Sequence, residues 1–87
     1  MKNISLLFSG RGSNVNSILN HIAKKRLNFN VKIIICNNKN AAGIKILENC
    51  EFNNIVLDIS SFAKKNDFDI KLKNILNPEK NDILLLC

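Results

Sequence analysis

Residues 4 to 15, with the sequence ISLLFSGRGSNV, constrain the fold of this chain more than any other stretch. Ile4 to Phe8 is a short apolar run, typical of a strand that is covered on both faces. Ser9 to Asn14 then includes two glycines among mostly small polar residues, and a helical pattern follows at once. Glycines let the backbone approach an oxyanion, and the unpaired N–H groups and the dipole of a helix N-terminus hold it. The stretch therefore predicts an anion site, and phosphate is the ligand that suits it best.

Two familiar phosphate motifs do not fit this loop. A P-loop requires Lys and then Ser or Thr after its second glycine, whereas Gly12 is followed by Ser13 and Asn14. The dinucleotide fingerprint requires a third small residue where this chain has Val15, and an acidic residue at the end of the second strand, where it has Cys36. A tight strand-to-helix turn that binds no ligand is the alternative interpretation, and the loop alone leaves both open.

Length and hydrophobicity predict one small globular domain. The chain has 87 residues, of which 46% are hydrophobic, a share that is ordinary for a globular protein and too high for a disordered one. No apolar run approaches the roughly 18 residues of a membrane span, and the run after residue 3 is shorter than the apolar core of a signal peptide. We therefore predict a soluble cytoplasmic protein with no membrane partner.

The net charge of +6 is the feature that would favour a nucleic-acid partner. However, the lysines are scattered, and the densest basic cluster, Lys24 to Arg26, falls at the end of the first predicted helix, where cations complement the helix C-terminus. The chain also has no Trp or Tyr on which bases could stack. We predict that it binds no nucleic acid.

The cysteines and the single histidine predict no metal site. Cys36, Cys50 and Cys87 show no C-x-x-C spacing, and their odd number argues against a disulfide framework. His21 alone does not complete a set of metal ligands. Its place beside the apolar stripe of the first predicted helix indicates a surface or boundary residue with no catalytic role.

The hydrophobic pattern predicts a β-α-β-α-β-α-β order with right-handed parallel crossovers. The predicted elements are strands at Ile4–Phe8, Val31–Cys36, Asn54–Asp58 and Asp82–Cys87, and helices at Ser13–Arg26, after Asn40 and at Asp67–Leu76. Ser13, Asn40 and Asn66 are the predicted helix caps, and Pro78 stands just beyond the third helix. With the strand order 3-2-1-4, this Rossmann-like α/β sheet would have its ligand crevice between the first and fourth strands.

Three segments resemble one enzyme family, phosphoribosylglycinamide formyltransferase, the folate-dependent enzyme of de novo purine synthesis. They are Ser9-Gly10-Arg11-Gly12-Ser13-Asn14 after the first strand, Cys36 to Gly43 after the second, and Ser61-Phe62 before the third helix. The resemblance covers the whole chain but only about the first half of a family member. Asn40 departs from the family's usual acidic residue, and Glu51 stands where the family commonly ends its second helix with glycine. A left-handed Glu51 would be strained, so we expect this helix to end differently.

The resemblance implies both a fold and a site. Residues 1–87 would form a truncated N-terminal domain of the formyltransferase fold, in which Gly12, Ser13 and Asn14 hold the 5′-phosphate of N1-(5-phosphoribosyl)glycinamide. Lys65 aligns with a position where the family often has an Arg that touches the co-substrate, 10-formyltetrahydrofolate; a solvated lysine is the alternative interpretation. The family's catalytic Asn, His and Asp lie in its second half, so the resemblance implies no catalytic residue here and an inactive chain on its own.

Two function classes stay open at this point. The chain is either the N-terminal segment of a formyltransferase or a freestanding, non-catalytic module that binds a phosphorylated metabolite or pairs with another chain. Without the chain that follows it in a family member, the apolar strand at residues 83–87 would lie at the edge of the sheet. Because an apolar edge strand is prone to pair with other chains, we predict association through these residues.

Overall fold

The computed structural model describes residues 2–79 and 83–87. In chain order these residues form β1 (Lys2–Phe8), α1 (Ser13–Ala23), β2 (Phe29–Cys36), α2 (Ile44–Glu48), β3 (Asn54–Val56), a 3₁₀ turn (Ile59–Ser61), α3 (Lys65–Glu79) and β4 (Ile83–Leu86). The four strands make one parallel sheet in the order β3-β2-β1-β4. The predicted Rossmann-like α/β fold and its strand order are therefore confirmed.

The central strands β1 and β2 are nearly continuous apolar runs because helices cover both faces of the sheet. Ile4 and Ser5 are fully buried in β1. The pairing of the two strands shifts between these two residues, and Lys32 is the extra residue of β2. This bulge allows both Val31 and Ile34 to face the same core, although strict alternation would place them on opposite faces.

Two hydrophobic cores lie on the two faces of the sheet. Because Ile34 and Cys36 face the first core while Ile33 and Ile35 face the second, the helices that cover these cores lie on opposite sides. The buried residues of the first core, which α1 and α2 cover, are Ile4, Leu6, Phe8, Val15, Val31, Ile34, Cys36, Ala41 and Leu47. Those of the second core, which α3 covers, are Ile33, Ile35, Leu57 and Phe68.

Helix α1 ends at Ala23, three residues before the predicted end at Arg26. Lys25 has a left-handed backbone with a φ of 60°. The N–H of Arg26 donates to the carbonyl oxygen of His21 at 2.8 Å, and the N–H of Lys25 donates to that of Ile22 at 3.0 Å. These two bonds form a Schellman motif, which stops the helix. The pattern of the sequence does not reveal this ending, because glycine is the usual residue at the left-handed position.

The N-caps predicted for the first two helices are wrong. Gly12 is the N-cap of α1 and Gly43 that of α2, and no side chain caps either helix. Ser13 is therefore the first helical residue of α1. The N–H of Asn40 donates to Asn38 Oδ1 at 3.0 Å, so Asn40 belongs to an Asx-turn that precedes the helix.

Helix α2 is shorter than predicted. It comprises only Ile44–Glu48, so Ala42 and Cys50, which we predicted to be helical, lie outside it. Within residues 2–79 and 83–87, Lys25 is the one non-glycine residue with a positive φ, so Glu51 does not take the left-handed conformation. The expectation that this helix ends without a strained Glu51 is confirmed.

Both predicted limits of α3 are wrong, because the helix begins at Lys65 and extends to Glu79. Asn66 consequently lies inside the first turn and is not the cap. Pro78 lies in the last turn of the helix, although a proline there has no N–H to donate to the preceding turn. Neither α3 nor any other helix of the described part is long and apolar enough to span a membrane.

The short outer strands differ from the predicted ones at their ends. β3 ends at Val56, two residues before the predicted end at Asp58, although the N–H of Leu57 still donates to the carbonyl oxygen of Cys36 at 2.8 Å. β4 begins at residue 83. Asp82, the predicted first residue of this strand, lies outside the described residues.

Replacing Lys25 with glycine should stabilise the protein, because a left-handed non-glycine residue costs roughly 1–2 kcal/mol. Part of this gain is offset by the greater freedom of glycine in the unfolded chain, so we expect the free energy of unfolding to rise by about 0.5–1 kcal/mol. Urea unfolding measures the change. The matched control is Lys24→Gly, at a φ of −84°, where glycine relieves no strain and should lower stability. Equal effects of the two substitutions would contradict the Schellman ending.

Candidate functional site

A cleft of about 300 Å³ opens at the carboxyl ends of β1 and β4. Here the strand order reverses, because the chain leaves β1 towards β2 on one side and returns to β4 on the other. The residues that line the cleft are Phe8, Ser9, Gly10, Arg11, Gly12, Ser13, Asn14 and Cys87. The structure thus brings the three residues of the predicted phosphate site together in the predicted crevice.

Gly12 shapes the wall of the cleft. It is buried, and its φ of 74° and ψ of 18° define a left-handed conformation that favours glycine. An added Cβ would lie 2.8 Å from Ile46 Cδ1. The carbonyl oxygen of Gly12 accepts the first helical hydrogen bond, from the N–H of Asn16 at 2.8 Å. No described side chain caps α1, so the first-turn N–H groups of Ser13 and Asn14 are available to an anion.

Residues 9–12, between β1 and α1, form the cleft loop. The loop that follows β2 holds this cleft loop in place. Its N–H groups donate to three successive carbonyl oxygens at the end of β1: Asn37 N–H to Phe8 at 3.0 Å, Asn38 Nδ2 to Ser9 at 3.3 Å, and Gly43 N–H to Gly10 at 3.1 Å. These three hydrogen bonds therefore support the path of the cleft loop.

Gly43 makes the closest contact between the two loops. A Cβ at this position would lie 2.6 Å from Phe8 Cε2 and 2.7 Å from the carbonyl oxygen of Arg11. The two backbones approach each other this closely only because residue 43 has no side chain. The positioning roles of Gly43 and Asn38 were not predicted from the sequence. The one sequence signal for Gly43 was that a glycine precedes a helical pattern. Its contacts with Phe8 and Arg11 join residues more than 30 positions apart, and such contacts leave no local pattern in the sequence.

Arg11 is the one residue with a charged side chain among the described residues that line the cleft, and its positive charge favours an anion. Burial raises the pKa of the Cys87 thiol, which therefore stays neutral near pH 7. Asp58 does not line the cleft. The N–H of Ser60, 3.0 Å from Oδ1, lowers the pKa of this carboxyl, which also lies 4.0 Å from Lys39 Nζ.

Lys65 and His21 lie outside the cleft. Lys65 is exposed at the start of α3, on the opposite face of the sheet from α1, so its folate contact stays a prediction. His21 lies in the last turn of α1, at the end of the helix away from Gly12. Within residues 2–79 and 83–87, no group of three or more His, Cys, Asp or Glu side chains is placed to hold a metal ion.

A broader groove of about 550 Å³ lies between α1 and residues 45–52. Its apolar surface comes mainly from Leu19, Ile46, Cys50 and Phe52. It contains none of the glycine-rich backbone and lies away from the point where the strand order reverses. We place the candidate site in the smaller cleft, because that cleft combines the uncapped helix N-terminus with the reversal of strand order.

No family model and no curated protein sequence match the chain. Solved structures match its fold. The chain is 21% identical to phosphoribosylglycinamide formyltransferase from Bacillus halodurans, with a TM-score of 0.87. It is 21% identical to glycinamide ribonucleotide transformylase 1 from Geobacillus kaustophilus, with a TM-score of 0.90. It is 26% identical to phosphoribosylglycinamide formyltransferase from Campylobacter jejuni, with a TM-score of 0.85.

Each of these matches covers 99% of this chain but only 44%, 46% and 47%, respectively, of the solved chain. The chain therefore spans less than half the length of the structures that it matches, and it corresponds to their N-terminal half. The predicted resemblance to phosphoribosylglycinamide formyltransferase is confirmed as a resemblance of fold.

Replacing Gly43 with alanine should destabilise the protein by about 1–3 kcal/mol, because the new methyl group must displace the Phe8 ring and the Arg11 carbonyl oxygen. Urea unfolding measures the loss. Gly10→Ala is the matched control, since no atom lies within 4 Å of a Cβ built there, and we expect its free energy of unfolding to change by less than about 0.5 kcal/mol. If Gly43→Ala were as stable as Gly10→Ala, the two loops would not be in the contact described.

Proposed function

We propose that this chain forms the phosphate-binding half of a site like that of phosphoribosylglycinamide formyltransferase. One observation carries the proposal: the buried, left-handed Gly12 and the uncapped first turn of α1 lie at the crevice where the strand order reverses. The likeness of its fold to the N-terminal half of enzymes named phosphoribosylglycinamide formyltransferase supports this assignment.

In this proposal Gly12, Ser13 and Asn14 hold the 5′-phosphate of N1-(5-phosphoribosyl)glycinamide. Their backbone N–H groups donate to the phosphate oxygens at the positive end of the α1 dipole. The Ser13 hydroxyl and the Asn14 amide, both on exposed residues, add further donors. Phosphate is a better ligand for this arrangement than a neutral group, because both the dipole and the nearby Arg11 favour negative charge.

A fixed phosphate would position the rest of the substrate for formyl transfer. We propose that 10-formyltetrahydrofolate supplies the formyl group, whose carbon is attacked by the amine of the substrate. The part of the reaction assigned to this chain is binding and orientation, which reduce the entropic cost of bringing the reactants together. The residues that manage protons and the oxyanion would come from a second half of the site. The folate contact of Lys65 and a cytoplasmic location stay predictions.

The alternative function is a non-catalytic module that binds a phosphorylated metabolite. The described cleft would serve this function equally well, because it contains phosphate donors but no pair of acid and base groups. A formyl-transfer assay of the chain combined with the second half of a formyltransferase separates the two. Transfer by the combination supports the enzyme, and phosphate binding without transfer supports the module.

Changing Asn14 to Asp should abolish phosphate binding and leave the fold intact. A carboxylate in the first turn repels the phosphate, yet it complements the helix dipole and should raise the free energy of unfolding by about 0.3–1 kcal/mol. Binding is measured by calorimetric titration with ribose 5-phosphate. Asn20→Asp, the same change in the later part of α1 and outside the cleft, should bind like the unchanged protein. Undiminished binding by Asn14→Asp would remove the first turn of α1 from the site.

We also propose that the chain associates through residues 83–87. β4 is the outer strand of the described sheet, and Leu86 is 76% exposed. Leu86→Lys should therefore reduce association in sedimentation experiments without reducing stability. Leu85→Lys is the comparison, because it adds the same charge at the neighbouring position of the strand. Leu85 packs against the first core, so this substitution should lower the free energy of unfolding by about 2 kcal/mol or more. Sedimentation as a monomer at all concentrations, before any substitution, would contradict the proposal.

A further inference from the structure

Arg11 lies between the two glycines of the cleft loop, and its backbone is held on both sides. The carbonyl oxygen of Gly10 accepts the N–H of Gly43 at 3.1 Å, and Gly12 begins α1 in its left-handed conformation. The carbonyl oxygen of Arg11 itself packs against Gly43, within 2.7 Å of where a Cβ would stand. The base of the Arg11 side chain is therefore fixed at the cleft, whereas the residue as a whole is exposed.

No carboxylate of the described residues pairs with this arginine. Among the described residues, the one ion pair joins Lys39 to Asp58, and Arg11 has no acidic partner within ion-pair distance. The described residues that line the cleft include no acidic side chain either. Arg11 lines a cleft that also contains free N–H groups at a helix start, and a guanidinium together with such N–H groups suits a doubly charged anion.

We propose that Arg11 is a phosphate-binding residue whose guanidinium pairs with the oxygens of a phosphomonoester held at the start of α1. This inference rests on the proposed phosphate site and adds to it the residue that supplies full positive charge. The N–H groups of Gly12, Ser13 and Asn14 contribute only the partial charge of the helix end. The planar fork of arginine donates two parallel hydrogen bonds to two phosphate oxygens, which favours the terminal phosphate of a sugar phosphate over a carboxylate or a singly charged diester.

The chain provides its own matched control for this role. It contains two arginines, Arg11 and Arg26. Arg26 is also exposed, but it follows the other end of α1, where its backbone N–H donates to His21. Replacing either arginine with glutamine removes one positive charge from the whole protein, so any difference between the two variants reports position and not net charge.

The test is a titration of the full chain with ribose 5-phosphate at low and at high salt. We expect Arg11→Gln to bind about tenfold more weakly than the unchanged protein, which is the loss typical of one charge-assisted hydrogen-bonded pair. Its affinity should also depend less on salt, because a charged contact is missing. Arg11→Lys should recover part of the affinity, since it keeps the charge but not the fork. Arg26→Gln should bind within about twofold of the unchanged protein.

The outcomes separate this inference from the function on which it rests. The first case is that the unchanged protein binds, Asn14→Asp does not bind, and Arg11→Gln binds as well as Arg26→Gln. Arg11 is then a solvated side chain, and the inference is overturned while the phosphate site stands. If the unchanged protein does not bind ribose 5-phosphate, both fail. Equal weakening by Arg11→Gln and Arg26→Gln would attribute the effect to net charge and would also overturn the inference.

Discussion

The contact between the loops after β1 and β2 is the interaction on which the candidate site depends. Gly43 lies so close to Phe8 and to the Arg11 carbonyl that no side chain fits between them, and three hydrogen bonds join the loops at residues 8, 9 and 10. Close packing of this kind allows few alternative arrangements, because both overpacking and cavities cost free energy. The left-handed Gly12 then sets where α1 begins, and hence where its unpaired N–H groups lie.

The sheet could be predicted from the sequence because each strand is indicated by several neighbouring residues. The apolar runs of β1 and β2 need burial on both faces, and parallel strands with helical crossovers satisfy that need. The glycine-rich stretch from Ser9 to Asn14 indicated the turn between β1 and α1, and its phosphate ligand stays a prediction. These features rest on several residues each, so no single unusual position could reverse them.

The details that the sequence analysis missed depend on single residues or on distant contacts. Lys25 ends α1 in a left-handed conformation that glycine usually adopts, so a lysine at this position does not indicate a helix end. Ser13 is a good cap by propensity, but the left-handed Gly12 takes that place. Asn38 is one of several asparagines in its loop, and only the fold shows that its amide reaches Ser9. For the site, the sequence therefore predicted the turn at residues 9–14 but not the second loop that holds it.

We propose that phosphate binds at the first turn of α1. The most direct test is a titration of the isotope-labelled chain with ribose 5-phosphate, followed by amide chemical shifts in NMR spectra. We predict saturable shifts that are largest at Gly12, Ser13 and Asn14, with little change at Lys65 or along the groove at residues 45–52. Shifts that never saturate, or that concentrate in that groove, would contradict the account.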